Sequence, residues 1–467
     1  MKPKAKRVVI ATLSICLAAG IGLGAVLLLR KDADLRPGGM SGELSRTEQP
    51  FPDEEKLQSG LNADAPLFDA TLTGQPDAAS MHFVQKDPYF SQCDQIIQTE
   101  NGWYYLVSAK EDLPATWTEN SKSAPGLLYY KDNASGESVV VCADAACTHY
   151  NEYCMAANTA YHGGPAVYYE DALYGVAKKY SKPTLYECND PKSTITLMRY
   201  APDGTALEEL AVLEEIEGRS LQGMNLSHSY MIAHGGALWL IVNLDGYDAP
   251  DAYGIYRYDV AAEELIFIMG SSEKPEDDWY SSEPMNLMAD GNYVYFAKPN
   301  AQWPDTYTRS GIYRIDARTG CCELISEQQA YMYRVMGNKL FYIEDGEHRD
   351  TKEWYHLYEK DLESGESVQL DTRYVVRMQC NGSYILTVDA AEDETQMTLC
   401  DRQGKVLKTL SPNLTGMFQY GIAMDDTNCY VQIRDYGLFR CSIADILAGK
   451  SKFEMVYSLS RFDYGYD

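Results

Sequence analysis

The sequence predicts an all-β protein, a seven-bladed β-propeller, preceded by one N-terminal transmembrane helix and a disordered tether. Three observations predict it. A tight Gly/Asn/Asp turn followed by aromatic-aliphatic alternation recurs seven times along the chain. Tyrosine is abundant, at 37 of 467 residues, and aromatic and β-branched residues suit pleated, half-buried surfaces. Val8 to Leu29 carry no charge, and about 20 apolar residues span a bilayer.

The N-terminus comes first. MKPKAKR places Lys2, Lys4, Lys6 and Arg7 before the apolar run, and only Arg30 and Lys31 directly follow it. The more basic flank stays on the cytoplasmic side. The run exceeds the roughly 7–15 apolar residues of a cleaved signal, and no small-x-small site follows it. LSIC (13–16) is a poor lipoprotein box, because Ile15 is bulky and the run continues past Cys16. Residues 1–31 therefore read as a single-pass signal anchor in the cell membrane, with the remainder extracytoplasmic. Residues 32–80 are rich in Pro, Gly, Ser and acid, too poor in apolar residues to order themselves, and read as a tether. Residues 81–467 form the propeller domain.

All 68 acidic residues and 34 of the 40 basic ones lie after Lys31, a net of −34 for the external part. That argues against nucleic acid and against adhesion to anionic lipid or wall polymers, which need a basic surface. Neutral glycans, cations and basic peptides stay open.

The repeat has two halves. NGWYYLV (101–107), EDALYGV (170–176), GGALWLIV (235–242), DGNYVYF (290–296), GNKLFYI (337–343), NGSYILTV (381–388) and TNCYVQI (427–433) supply a turn and strand B. Segments such as IYRYDVAAEELIFIM and IYRIDARTGCCELIS supply strand C, a polar corner and strand D. A four-stranded sheet cannot bury both faces alone, and stacking copies around an axis does so. Six or eight blades are the alternatives, with MHFVQ (81–85) a candidate closing strand. IADILAGK (443–450) is the only short helical candidate.

In such a ring the short A–B and C–D turns share one face, expected to be flat, and the long B–C and D–A connections share the other. Function concentrates in loops held by a rigid scaffold. The candidate ligand-binding residues are accordingly Trp117, Tyr247, Asp248, Trp279, Tyr280, Trp303, Tyr307, Trp354 and Tyr355, all in the long connections. Aromatic faces beside carboxylates suit sugar rings or peptides; each tryptophan alone serves equally well to pin its loop to the blade beneath.

Cys142 ends strand D of the first unit (ESVVVC), which puts CADAACTHYNEYC in the D–A connection on the looped face, with Cys142, Cys147, His149 and Cys154 in a C-x4-C-x-H-x4-C set. These are the ligand types of a tetrahedral Cys3His structural zinc site. The alternative is a Cys147–Cys154 disulfide, which an external location permits. The external part holds 11 cysteines, so all of them cannot pair with one another. This motif after a first blade, followed by repeats of the form IYRIDARTG, resembles uncharacterised propeller proteins, secreted or membrane-anchored, of Gram-positive bacteria. They carry a domain of unknown function related to TolB-like and low-density-lipoprotein-receptor-like propellers. The resemblance covers most of residues 90–460. It implies the fold, an external location and metal or disulfide use of the motif, and it implies no activity.

No G-x-S-x-G elbow, H-E-x-x-H or Gly-rich phosphate loop occurs in the sequence. The expected function is a non-catalytic binding or scaffolding module for a neutral glycan, a peptide or an envelope protein. The alternative is a glycosidase or lyase using two carboxylates at the propeller mouth.

Overall fold

The computed structural model describes residues 72, 74–79, 81–82, 95–108, 126–147, 156, 165–180, 192–217, 226, 229–244, 252–271, 285–298, 311–327, 332–343, 356–370, 375–390, 395–410, 420–433, 437–450 and 452–458. The expected membrane anchor lies outside the described residues. No helix among the described residues is long and apolar enough to cross a membrane.

Seven antiparallel sheets follow one another, at residues 95–140, 166–217, 230–271, 285–326, 333–369, 375–410 and 420–458, each taking strands A to D in chain order. These are blades 1 to 7. Strands A of successive blades lie side by side. Strands D carry exposed apolar side chains such as Val139, Phe267, Val368 and Met455. Strand A therefore lines the axis and strand D the rim.

Strand B shows why the blades must stack. In Ala237–Leu244 of blade 3, Leu238, Leu240 and Val242 pack against blade 2, whereas Trp239 and Ile241 pack against blade 4. Side chains alternate faces along a strand, and both faces are buried, so the run is apolar from Ala237 to Val242. Equivalent clusters join the other consecutive blades. The ring closes between blades 7 and 1 through Ile96, Trp103 and Tyr105 against Ala423, Tyr430, Leu438, Val456 and Tyr457. Tyr105 stacks on Tyr457 at 4.0 Å, and Trp103 meets Tyr430 edge-on at 5.5 Å. Blade 7 supplies its own outermost strand, Glu454–Ser458.

The polar corner of the repeat is a cap. Asp132, Asp203, Asp259, Asp316, Asp361 and Asp401 each accept backbone N–H bonds from residues two to four positions on, closing the C–D turn. In blade 7 Ser442 takes this role. It accepts from Asp445 N and starts helix α1 (Ile443–Leu447), the short helix expected there. The bonds to aspartate favour its ionised form. The Ser364 N–H, then Lys339, bring Asp361 down to about 2. A lowered folded-state value means that stability is full above the unfolded-state value, about 4, and is lost as pH falls towards 2. We expect thermal unfolding to move to lower temperature across that window. Asp361→Asn keeps an acceptor and removes the charge, so a shallower acid dependence in calorimetry is the expected result.

The chain before blade 1 runs inside the ring. Strand β1 (Ala78–Ala79) pairs antiparallel with the axial edge of strand A of blade 3, Ala78 opposite Ala233. Strand β2 (Met81–His82) pairs likewise with strand A of blade 1, Met81 opposite Ile96. Both run against strands A, which descend to the A–B turns, so the segment rises from the turn face towards the loop face. At its entry Leu72 N donates to Asn292 Oδ1 (2.7 Å), Gly291 N to Gly74 O (2.8 Å) and Gly235 N to Asp77 Oδ2 (2.7 Å). The described part of residues 72–79, placed by sequence in the tether, thus takes part in the domain. Met81–His82 is not a closing strand at the rim, because its partner lies on the axis.

Candidate functional site

All nine candidate ligand-binding residues, Trp117, Tyr247, Asp248, Trp279, Tyr280, Trp303, Tyr307, Trp354 and Tyr355, lie outside the described residues. Of the cysteine motif, Cys142 and Cys147 are described, and His149 and Cys154 lie outside. Cys142 and Cys147 are half-buried and form no disulfide with any described residue. They pack with buried Ala156 into the apolar cluster between blades 1 and 2. Ala143 N donates to Gly204 O in the C–D turn of blade 2 (3.4 Å). The first half of the motif therefore sits beside the turn face, although sequence placed the whole motif with the long loops. The cause is the short outer strand of blade 1, Ser138–Val140, which releases the chain close to its C–D turn. No group of three or more metal-ligating residues occurs among the described residues.

The turn face is not flat. A cleft of about 650 Å³ opens there between blades 1 and 2. Its walls are the A–B turns of both blades (Glu100, Asn101, Asp171), the C–D turn of blade 2 (Pro202, Asp203) and strand D of blade 1. Three tyrosines from three strands form its base. Tyr104 lies 4.8 Å from Tyr130 and 6.0 Å from Tyr168, ring centroid to centroid.

Local chemistry holds these rings. Tyr104 is buried and donates its hydroxyl to Pro202 O (3.0 Å), tying blade 1 to blade 2. Burial pushes its pKa up, so it stays a neutral donor. Tyr130 lies across Gly102, where a Cβ would come within 2.5 Å of the ring, so only glycine admits this packing. Tyr168 is half-buried and donates to Asp171 Oδ1 (3.2 Å). Asp203 accepts from the Thr205 hydroxyl and backbone N–H, which lower its pKa and keep it charged.

The A–B turn of blade 2 departs from the others. Glu170 and Asp171 occupy consecutive left-handed conformations, φ 47° and 58°, where hairpins favour Asn and Gly. Blade 3 places Gly235 and Gly236 at the same corner. Left-handed conformations cost non-glycine residues about 1–2 kcal/mol each. Blade 2 bears that cost and presents two carboxylates there.

Near the axis the A–B turns are linked to one another. His234 Nε2 donates to Gly291 O (2.6 Å), Gly337 N to Asp290, and Asn381 Nδ2 to Asp425 O (2.8 Å). Burial raises the Asp290 pKa, and the Gly337 N–H opposes it. Arg334 donates to Gln379 Oε1 and Tyr333 O, and Gln379 Nε2 donates to Ile422 O, joining blades 5, 6 and 7. These polar groups connect blades.

The architecture is that of a seven-bladed β-propeller. No protein-family model matches the chain, and no curated relative matches it in sequence. Among solved structures, it is similar to a prolyl endopeptidase at 11% identity and TM-score 0.47, covering 78% of this chain and 49% of that one. It is also similar to the GH74 enzyme of Niastella koreensis (12%, TM-score 0.41, covering 81% and 55%). BamB of Moraxella catarrhalis aligns at 11% identity and TM-score 0.33, covering 78% and 86%. The chain spans about half the length of the peptidase it matches. The sheet order, rather than these likenesses, defines the fold.

Proposed function

We propose that the chain is a membrane-anchored, extracytoplasmic binding module. In this reading residues 1–31 hold it in the cell membrane, and its looped face recognises a neutral glycan, a peptide or an envelope protein. The observation that supports the reading is the path of residues 72–82. The segment enters at the turn face and rises along the axis, so the chain joins the domain at the face of the short turns. The ligand is proposed to bind the looped face, through Trp117, Tyr247, Asp248, Trp279, Tyr280, Trp303, Tyr307, Trp354 and Tyr355.

The test has two arms. Protease added to intact cells should release the propeller and leave the N-terminal span in the membrane; a fully protected domain refutes the placement. Residues 72–467, purified and applied to glycan and peptide arrays, should bind a restricted set. Binding to nothing refutes the binding-module reading, and turnover of a glycan refutes its non-catalytic form.

Cys142, Cys147, His149 and Cys154 are proposed to hold one structural zinc ion, with a Cys147–Cys154 disulfide as the competing state. A closed four-ligand site stabilises a fold and leaves no open position for catalysis. Packing of Cys142 and Cys147 between blades 1 and 2 makes the clip a brace for that junction. Elemental analysis should find about one zinc per chain, lost in Cys142→Ser. Metal-free protein with a mapped Cys147–Cys154 bridge is the contrary result.

A further inference from the structure

We infer that the cleft between blades 1 and 2 is a docking site for an extended peptide segment carrying lysine or arginine. This rests on the binding-module reading and assigns it a second surface, on the face of the A–B and C–D turns.

Three features point to a cation. The lining carries Glu100, Asp171 and Asp203, and among the described residues no lysine or arginine lines it. Its base is aromatic, through Tyr104, Tyr130 and Tyr168. Cations are attracted to aromatic faces, more strongly when desolvated. The cleft is also shaped for a chain. Its volume of about 650 Å³ is that of an ordinary ligand cleft, and it runs from the A–B turns of two blades to strand D of blade 1. Val139 in that strand is 54% exposed and offers an apolar contact beside the charges.

The carboxylates and rings have distinct roles. Asp203 is held ionised by its own turn. Asp171 is fixed by the Tyr168 hydroxyl and by its left-handed backbone. A lysine or arginine entering between them exchanges water for ring faces on one side and carboxylates on the other. An anionic segment meets like charge on every rim, and a neutral sugar leaves the carboxylates without a counter-charge. The charge balance of the cleft selects the basic peptide over both.

The probe is a fluorescein-labelled nine-residue peptide of alternating alanine and lysine. Its controls are the same peptide with every lysine acetylated and one with glutamate at those positions. Against the full chain in a non-ionic detergent the lysine peptide should bind, more weakly at higher salt, and both controls should fail. Asp171→Asn with Glu100→Gln, and separately Tyr130→Leu, should each weaken binding about tenfold or more, the loss of about 1.4 kcal/mol. Glu264→Gln with Glu366→Gln, exposed residues on other blades, should leave it unchanged. Circular dichroism melts check that each variant is folded. Equal weakening by the remote pair would mean general attraction to an anionic protein and would overturn the site. So would unchanged binding in the cleft variants, or no binding of the lysine peptide. A glycan or peptide selected on the arrays that still binds while the lysine peptide fails would overturn this inference and leave the binding-module reading standing.

Discussion

Replacing Trp103 with alanine is expected to destabilise the domain by about 3–5 kcal/mol, the usual cost of deleting a large buried aromatic. The side chain is 1% exposed and stands at the seam between the last blade and the first, against Tyr430. Its indole nitrogen also donates to Asn133 Oδ1 (3.1 Å), in the turn that ends strand C of blade 1. No described strand crosses this seam, since strands A to D of each blade come from one stretch of chain. Among the described residues, closure rests on this side-chain packing. Val139→Ala, at the exposed rim, should change stability by less than about 0.5 kcal/mol. Denaturant melts of the two variants compare these directly, and equal losses would contradict a closed ring.

Removing residues 1–82 should cost about 1–3 kcal/mol relative to a chain beginning at Leu72. The segment's hydrogen bonds each contribute about 0.5–1.5 kcal/mol net. Leu72 and Ala78 add apolar contact with the blades. Ordering each residue costs about 1–2 kcal/mol, which offsets most of that gain. The remainder is small in stability and large locally. It corresponds to roughly 5- to 150-fold in a local opening constant. Gly235 N and Gly291 N, bonded to Asp77 and Gly74, should exchange with deuterium faster by that factor. Exchange at strand B of blade 6 (Tyr384–Ala390) should not change.

The ring was legible because strand B is buried on both faces, which leaves long apolar runs such as GGALWLIV. The capped corners were legible because an Asp or Ser recurs at the end of strand C. IADILAGK was legible as a short helix, described at Ile443–Leu447. The axial segment was not legible. Two strands of two residues carry no periodicity, and their register is set by blades 1 and 3 rather than by their own sequence. The cleft was missed for a different reason. Tyr104, Tyr130 and Tyr168 read as ordinary strand residues, and only the fold brings them together. One signal was present: Glu170-Asp171 stands where blade 3 has two glycines. The cysteine motif was recognised and misplaced, because nothing in ESVVVC shows that strand D stops at Val140.

The central claim is that the described part of the segment preceding blade 1 runs along the axis of a seven-bladed ring, rising from the A–B turns. Ala78→Cys combined with Ala233→Cys, a directly opposed pair, tests it most directly. Residues directly opposite in an antiparallel pair lie about 4.5–5.5 Å apart at Cα, within reach of a disulfide. After mild oxidation, peptide mapping by mass spectrometry should recover 78 joined to 233 in most molecules. Residue 78 left free, or joined only to native cysteines, would place the segment outside the ring and contradict the account.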